Sequence, residues 1–129
     1  MSDVVITAHG LIRWLVIAVA VVGILHAAPR MGGDGAARGL GKILASIFLG
    51  LLDLQFLTGL ALLLFKPGVY RVAGAHALLM FVAILAAHLF RMSLKRAEPH
   101  HAGRLALSIY VVPLALILLG LSAAPFGVR

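Results

Sequence analysis

The sequence of 129 residues contains no cysteine and only four acidic residues. The lack of cysteine excludes disulfides, thiolate metal sites and cysteine-held iron–sulfur clusters. Charged residues make up 12% of the chain and hydrophobic residues 63%, whereas a soluble domain is about 25% charged and about half apolar. Too few polar side chains remain to cover a water-soluble globule, which excludes a soluble enzyme. The composition predicts a small integral membrane protein.

The charge that is present is mostly basic. Eleven Lys and Arg residues stand against four Asp and Glu residues, and the isoelectric point is about 11.3. These basic residues lie between long apolar runs and form no stripe or patch of the kind that follows a phosphate backbone. We therefore expect a lipid bilayer, and no nucleic acid, as the partner of this chain.

Four apolar stretches are long enough to cross the roughly 30 Å hydrocarbon core, which takes about 20 helical residues. We expect helices at about 4–28, 43–65, 72–94 and 104–124, in one transmembrane domain that covers residues 1–129. The runs are continuous, whereas a membrane β-barrel alternates apolar and polar residues. Because the connections are short, the predicted fold is all-α, an up-down bundle of four transmembrane helices. Pro113 is expected to kink the fourth helix.

The basic residues of the connections predict the orientation. Seven of them lie on one side of the expected membrane, in the loop after helix one and the loop after helix three, and three lie on the other side: Lys66, Arg71 and Arg129. The positive-inside bias then places both termini outside, in the periplasm of a bacterium. We expect a multi-pass protein of the inner membrane. The Gly-rich segment GGDGAARGLGK lacks the spacing of a phosphate-binding loop and is expected to be a flexible linker.

Two histidines lie at matched depth in helices that run in the same direction. His9 and His76 each precede the middle of their helix by about seven residues, which places both imidazoles roughly 10 Å outward of the midplane. Imidazole is a good iron ligand, and two axial histidines favour electron transfer over oxygen binding. Arg13, one turn from His9, is expected to pair with a haem propionate or with Asp53. The alternative is that both histidines lie at the level of the lipid headgroups, where they form hydrogen bonds and bind no cofactor.

The remaining histidines leave further alternatives open. His26 and His88 lie in the inner half of the same two helices and are the candidates for a second haem, although their depths differ by roughly 7 Å. Otherwise His26 is interfacial and His88 a polar member of the core. His100 and His101 are expected to be solvated in a loop.

Two polar residues stand near the middle of helix two. Placing a carboxylate at this depth in a bilayer costs free energy, so Asp53 is expected to face the interior of the bundle with a partner. It is expected to pair with Arg13 or to carry protons beside a quinone. Gln55 points nearly opposite to Asp53 and is expected to bond to another helix or, alternatively, to a ligand. Trp14 and Tyr110 are expected to be packing residues.

Three short motifs occur in the chain in a fixed order. They are H-x-x-x-R-W starting at His9, Gln55 followed by L-x-G-L, and H-x-x-x-M starting at His76. In these motifs the chain resembles small bacterial four-span proteins described as cytochrome b-like. The resemblance implies one haem b held by His9 and His76. An acid often precedes the second histidine in that group, and Ala75 stands there in this chain.

The expected function is therefore that of a b-type haem protein of the membrane that transfers electrons to or from quinone or a partner subunit. With short loops and no extramembrane domain, a carrier or subunit is favoured over a stand-alone enzyme. The alternative is a haem-free structural or assembly subunit of a larger respiratory or photosynthetic complex. A third hypothesis, a proton path through Asp53 and the histidines, is disfavoured by the single intramembrane acid and the unbroken helices.

Overall fold

A computed structural model describes residues 2–65 and 69–123, with side chains described for 3–65 and 74–121. These residues form four long helices: α1 (Ser2–Ala27), α2 (Leu40–Phe65), α3 (Val69–Lys95) and α4 (Pro99–Ala123). Two single turns of 3-10 helix, Ala28–Arg30 and Gly35–Ala37, connect α1 to α2. The prediction of an all-helical chain with four long apolar helices is confirmed.

The helices match the dimensions of a bilayer. They contain 25 to 27 residues each, which corresponds to about 38–40 Å at a rise of 1.5 Å per residue. Their most apolar windows have a mean hydropathy of 2.0–2.2, and large aliphatic side chains cover much of their outer surface. All four helices are therefore long and apolar enough to span a membrane. The side chains of Lys66, Arg71 and Arg129, on which the predicted orientation depends, lie outside the described residues.

The helices pack as two hairpins. The contacts within the α1–α2 pair and within the α3–α4 pair are the most extensive, and the hairpins meet where α1 contacts α4 and α2 contacts α3. In this arrangement α1 and α3 lie diagonally across the bundle from each other. Residues that face inward from α1 and α3 can therefore approach one space from opposite sides.

Small residues allow the helices to pack closely. The buried residues of α1 follow the three- and four-residue spacing of one helix face: Val16, Ala20, Gly23 and Ala27. A Cβ at Gly23 would overlap the ring of Tyr110, which is buried and lies 5.2 Å from the ring of Phe48. The prediction that Tyr110 is a packing residue is thus confirmed.

Three expectations about local structure need correction. Trp14 is 60% exposed because it lies on the side of α1 opposite to that buried face. The helix α4 begins at Pro99, about five residues earlier than expected, because the fixed φ of proline suits the first helical turn. His100 and His101 are therefore exposed residues of a helix and not of a loop. The Gly-rich connection includes a buried residue, Ala36, which packs beside Gly41.

Candidate functional site

A cavity of about 350 Å³ lies between the two hairpins. It is surrounded by the N-terminal halves of α1 and α3 and the C-terminal halves of α2 and α4. Most of its lining is aliphatic, and four polar or basic side chains also line it: His9, Arg13, Gln55 and His76. The volume is within the range of about 300–1,000 Å³ that is typical of small-molecule sites. The two histidines predicted to act together therefore line the same cavity.

The ring of His76 is anchored by the backbone of α4. Its Nδ1 donates a hydrogen bond of 3.1 Å to the carbonyl oxygen of Gly120. Gly120 is buried, and a Cβ at this position would lie 3.3 Å from that same Nδ1. The missing side chain thus allows the close approach. Because a carbonyl only accepts, the proton of a neutral His76 is on Nδ1 and the lone pair is on Nε2.

The ring of His9 is held by α2. Its Nδ1 lies 2.9 Å from Thr58 Oγ1, and that hydroxyl donates to the carbonyl oxygen of Gln55 at 2.9 Å. Since the single hydroxyl proton of Thr58 is used in this way, Thr58 accepts from His9, and Nδ1 carries the proton. The Nε2 of His9 is then an acceptor, which the amide of Gln55 approaches at 3.4 Å.

The hydrogen bonds therefore assign the same tautomer to both imidazoles. Each ring donates through Nδ1 to an oxygen of the adjacent helix in its hairpin and keeps the lone pair on Nε2. Histidines that bind metals almost always donate their other ring N–H in this way, which fixes the ring and strengthens it as a ligand. The arrangement can supply two neutral nitrogen donors from opposite sides of one cavity.

The cavity also contains a buried polar atom. Oε1 of Gln55 is buried and accepts no hydrogen bond from any residue that the structure describes. Leaving such an acceptor without a partner costs about 1–3 kcal/mol. A ligand or an ordered water with a donor group is therefore expected beside it. The bond from the Gln55 amide to His9 of α1 confirms the prediction that Gln55 bonds to another helix.

Arg13 and Met80 complete the environment of the two histidines. Both line the cavity, one turn along the helix from His9 and His76 respectively. The guanidinium of Arg13 also lies 5.2 Å from the ring centre of Trp14. It places positive charge and several N–H donors where a bound carboxylate could pair with them. Met80 is partly buried and packs against the core, in agreement with its apolar character.

Asp53 is not part of this cavity, contrary to the expectation that it faces the interior. Its Oδ1 accepts a hydrogen bond of 2.8 Å from Nε2 of His88, and the two side chains are 51% and 46% exposed, respectively. This bond to α3 replaces the expected pair with Arg13. The side of α2 that faces inward is defined by Ala45, Phe48 and Leu52, and Asp53 lies beside that face, toward α3.

The candidates for a second haem have different surroundings. His88 is bonded to Asp53 on the outer surface, so it is not the polar core residue of the alternative reading. The ring of His26 lies at the start of α2, where its Cε1 is 3.2 Å from the position that a Cβ of Gly41 would take. Neither residue lines the cavity of His9 and His76. A second haem between them stays a hypothesis.

Two residues that shape the site, Thr58 and Gly120, are not predicted from the sequence; they anchor the two imidazoles. Gly59, where the sequence predicts a close approach on the face of Gln55, makes room for one of them, since a Cβ there would lie 3.1 Å from Cε1 of His9. A signal was available on α2, where Gln55, Thr58 and Gly59 have the spacing of a single helix face. A backbone carbonyl such as that of Gly120 gives no such signal.

The described residues contain no group of three or more His, Cys, Asp or Glu side chains that could hold a metal ion. Axial coordination of a haem requires only two side chains, because the porphyrin supplies the other four nitrogens. Comparison with protein-family models, with curated proteins and with solved structures finds no match for this chain. Its function is therefore inferred from its own residues.

Proposed function

We propose that this chain is a membrane-spanning b-type haem protein that carries electrons, with His9 and His76 as the axial ligands. The observation that supports this function best is the shared tautomer of two imidazoles on one cavity, each with its lone pair on Nε2. Two such rings on diagonally opposed helices suit a flat cofactor between them. When bound, haem b supplies reversible one-electron chemistry, here toward quinone or a partner subunit.

The side chains of the chain then have separate tasks. Thr58 and the Gly120 carbonyl would fix the protonation and the direction of the two rings, which leaves the lone pair of each ring on Nε2. The amide of Gln55, which approaches Nε2 of His9 at 3.4 Å, would have to give way to a metal there. Arg13 would hold a propionate carboxylate of the haem. The aliphatic lining excludes water, which strengthens charge pairing inside the cavity and keeps other ligands away.

We further propose that both termini lie on the periplasmic side of a bacterial inner membrane. Helices of this length and hydropathy suit a bilayer, and the excess of basic residues in the loops after helices one and three favours this orientation. The cavity then lies in the outer half of the bundle, because the N-terminal halves of α1 and α3 surround it.

The test is a reduced-minus-oxidised spectrum of the protein purified in detergent after expression with a supply of haem. We expect a sharp b-type α band in the wild type and its loss in His9→Ala and in His76→Ala. His100→Ala removes an exposed histidine at the start of α4 and should retain the band. A colourless wild type that has folded in the presence of haem contradicts the proposal, as does a band that both cavity variants retain.

One observation favours the alternative function, a haem-free subunit of a larger complex. Asp53 and His88 expose a polar pair on the side of helices that are otherwise suited to lipid, and polar groups at such depth usually face protein. If the protein is colourless, purification in a mild detergent should then yield it within a stable larger assembly. Isolation as a colourless monomer under those conditions would count against this alternative.

A further inference from the structure

An open groove lies at the end of the α2–α3 pair that is opposite to the histidine cavity. It is lined by Ala37, Lys42, Arg91, Leu94 and Lys95. Three of these five residues are basic. No Asp or Glu is among its lining residues in the described part of the chain. The nearest acids along the chain, Asp34 and Glu98, are paired with Arg38 and His100.

One of the three cations is held in position by a relay of hydrogen bonds. Nη2 of Arg91 donates to Oγ of Ser46 at 3.0 Å, and this hydroxyl donates to the carbonyl oxygen of Lys42 at 3.0 Å. The Ser46 hydroxyl donates its only proton to the carbonyl oxygen of Lys42, so a lone pair of Ser46 Oγ accepts the N–H of Arg91. The guanidinium is thereby fixed against α2, and several of its N–H groups remain available for an anion.

The height of the groove on the helices suits the surface of a membrane. Lys42 lies in the first turn of α2, and Lys95 is the last residue of α3. Toward the middle of the same helices, exposed apolar side chains flank the groove: Ile43 by 57%, Leu89 by 53% and Met92 by 53%. The half-exposed pair of Asp53 and His88 lies in line with Ser46 and Arg91, one to two turns further toward the middle. The groove thus offers cations to a headgroup, and its flanks offer aliphatic contacts to the acyl chains.

We propose that this groove binds the phosphate group of an anionic membrane phospholipid, held by Arg91, Lys42 and Lys95. Basic pockets between transmembrane helices bind such headgroups, and basic residues near a membrane surface add about 1 kcal/mol each to the attraction. The apolar side chains that flank the groove favour a phospholipid over free phosphate. This inference does not depend on haem, since the groove and the histidine cavity share no lining residue.

The experiment is native mass spectrometry of the full chain, purified in detergent and titrated with phosphatidylglycerol or with phosphatidylcholine of the same acyl chains. We expect the wild type to bind phosphatidylglycerol about 100-fold more tightly than phosphatidylcholine, since each of the three cations contributes about fivefold. Replacing Lys42, Arg91 and Lys95 together by Gln should remove this preference. Replacing three exposed cations outside the groove, Arg30, Arg96 and Arg104, removes the same net charge and should change the affinity less than twofold.

A second pair of variants separates a shaped site from diffuse charge. Ser46→Ala keeps every charge but releases Arg91, and we expect about threefold to fivefold weaker binding of phosphatidylglycerol. Ser108→Ala is the matched control, because Ser108 makes the same type of bond to the carbonyl oxygen of Arg104 at 2.8 Å without holding a guanidinium. Equal effects of the two serine variants, or equal effects of the two triple variants, overturn the proposal.

Inorganic phosphate is the competitor that distinguishes a lipid from a soluble anion. At 10-fold excess over the lipid it should displace less than a tenth of the bound phosphatidylglycerol, because it makes no aliphatic contacts. Displacement of most of the lipid would overturn the assignment to a phospholipid. A chain that shows the b-type spectrum but no lipid preference would contradict this inference alone, and a colourless chain with the preference would contradict the haem proposal alone.

Discussion

The imidazole of His88 and the carboxylate of Asp53 are joined by a hydrogen bond of 2.8 Å on the outer surface of the α2–α3 pair. His88 lies about three turns further along α3 than His76, which faces the cavity. The bond engages His88 with a carboxylate, whereas the ring of His26 lies beside Gly41 at the start of α2. The two candidate haem sites thus differ: the first has two anchored rings on a shared cavity, and the second has one ring bonded to a carboxylate and one beside a different helix end.

We predict one haem per chain. The pyridine haemochrome assay, divided by the protein concentration, should give a ratio near one for the wild type and the same ratio for His26→Ala and His88→Ala. These variants are well matched to His9→Ala and His76→Ala, because each replaces a histidine on the same helix. A wild-type ratio near two that falls to one in both variants would instead establish the second haem.

Asp53→Asn should destabilise the protein only slightly. The variant weakens a bond between two helices, and hydrogen bonds between membrane helices contribute about 0.6 kcal/mol on average and up to about 1.7. Thermal unfolding in detergent measures the loss, with Asp34→Asn as the control in an exposed pair with Arg38. The absorption spectrum should not change, because Asp53 does not line the cavity. Loss of the α band in Asp53→Asn would show that the site extends further than its lining residues.

Thr58→Val should weaken cofactor binding while preserving the shape of the side chain. Valine has nearly the same size as threonine but cannot accept the proton of His9 Nδ1, which Thr58 accepts at 2.9 Å. Loss of such an outer partner typically lowers the affinity about 10- to 100-fold. Titration of haem into the apoprotein, followed by absorbance, gives the affinity. Thr7→Val, at an exposed position of α1, should leave the affinity unchanged.

Gly59→Ala and Gly50→Ala should differ in stability although they lie on the same helix. Alanine in place of glycine inside a helix stabilises it by up to about 1 kcal/mol. Gly50 has open space around it, so this gain should appear in full, whereas the new Cβ at Gly59 would lie 3.1 Å from Cε1 of His9. Gly59→Ala should therefore gain less, or lose stability, as the imidazole moves. Equal midpoints of thermal unfolding for the two variants would contradict the packing described for His9.

The sequence predicted the helices well because each is a long apolar run, and such runs show clearly against their short polar connections. The sequence analysis starts α4 about five residues too late because it treats Pro99 as part of the loop that contains His100 and His101. Proline suits the first turn of a helix, where its missing N–H is not required. This preference was available in the sequence and explains the five-residue difference.

The direction of individual side chains was harder to predict. In α2, apolar residues occur on every side, so the hydrophobic pattern does not separate the face toward protein from the face toward lipid. Asp53 was assigned to the interior on the rule that acids avoid lipid, and its partner His88 lies on another helix at a position that no local pattern indicates. Gln55 was placed correctly because its angle to Asp53 follows from helix geometry alone.

The two hairpins of the bundle have a consequence for assembly. Neighbouring helices in the chain make most of the contacts, so each hairpin can reach its native packing soon after its second helix is synthesised. The histidine cavity needs both hairpins, because His9 and Thr58 belong to one and His76 and Gly120 to the other. The proposed cofactor would stabilise the docked form by mass action, because it would bind between the two hairpins. Its removal should then loosen the boundary between the hairpins before either hairpin unfolds.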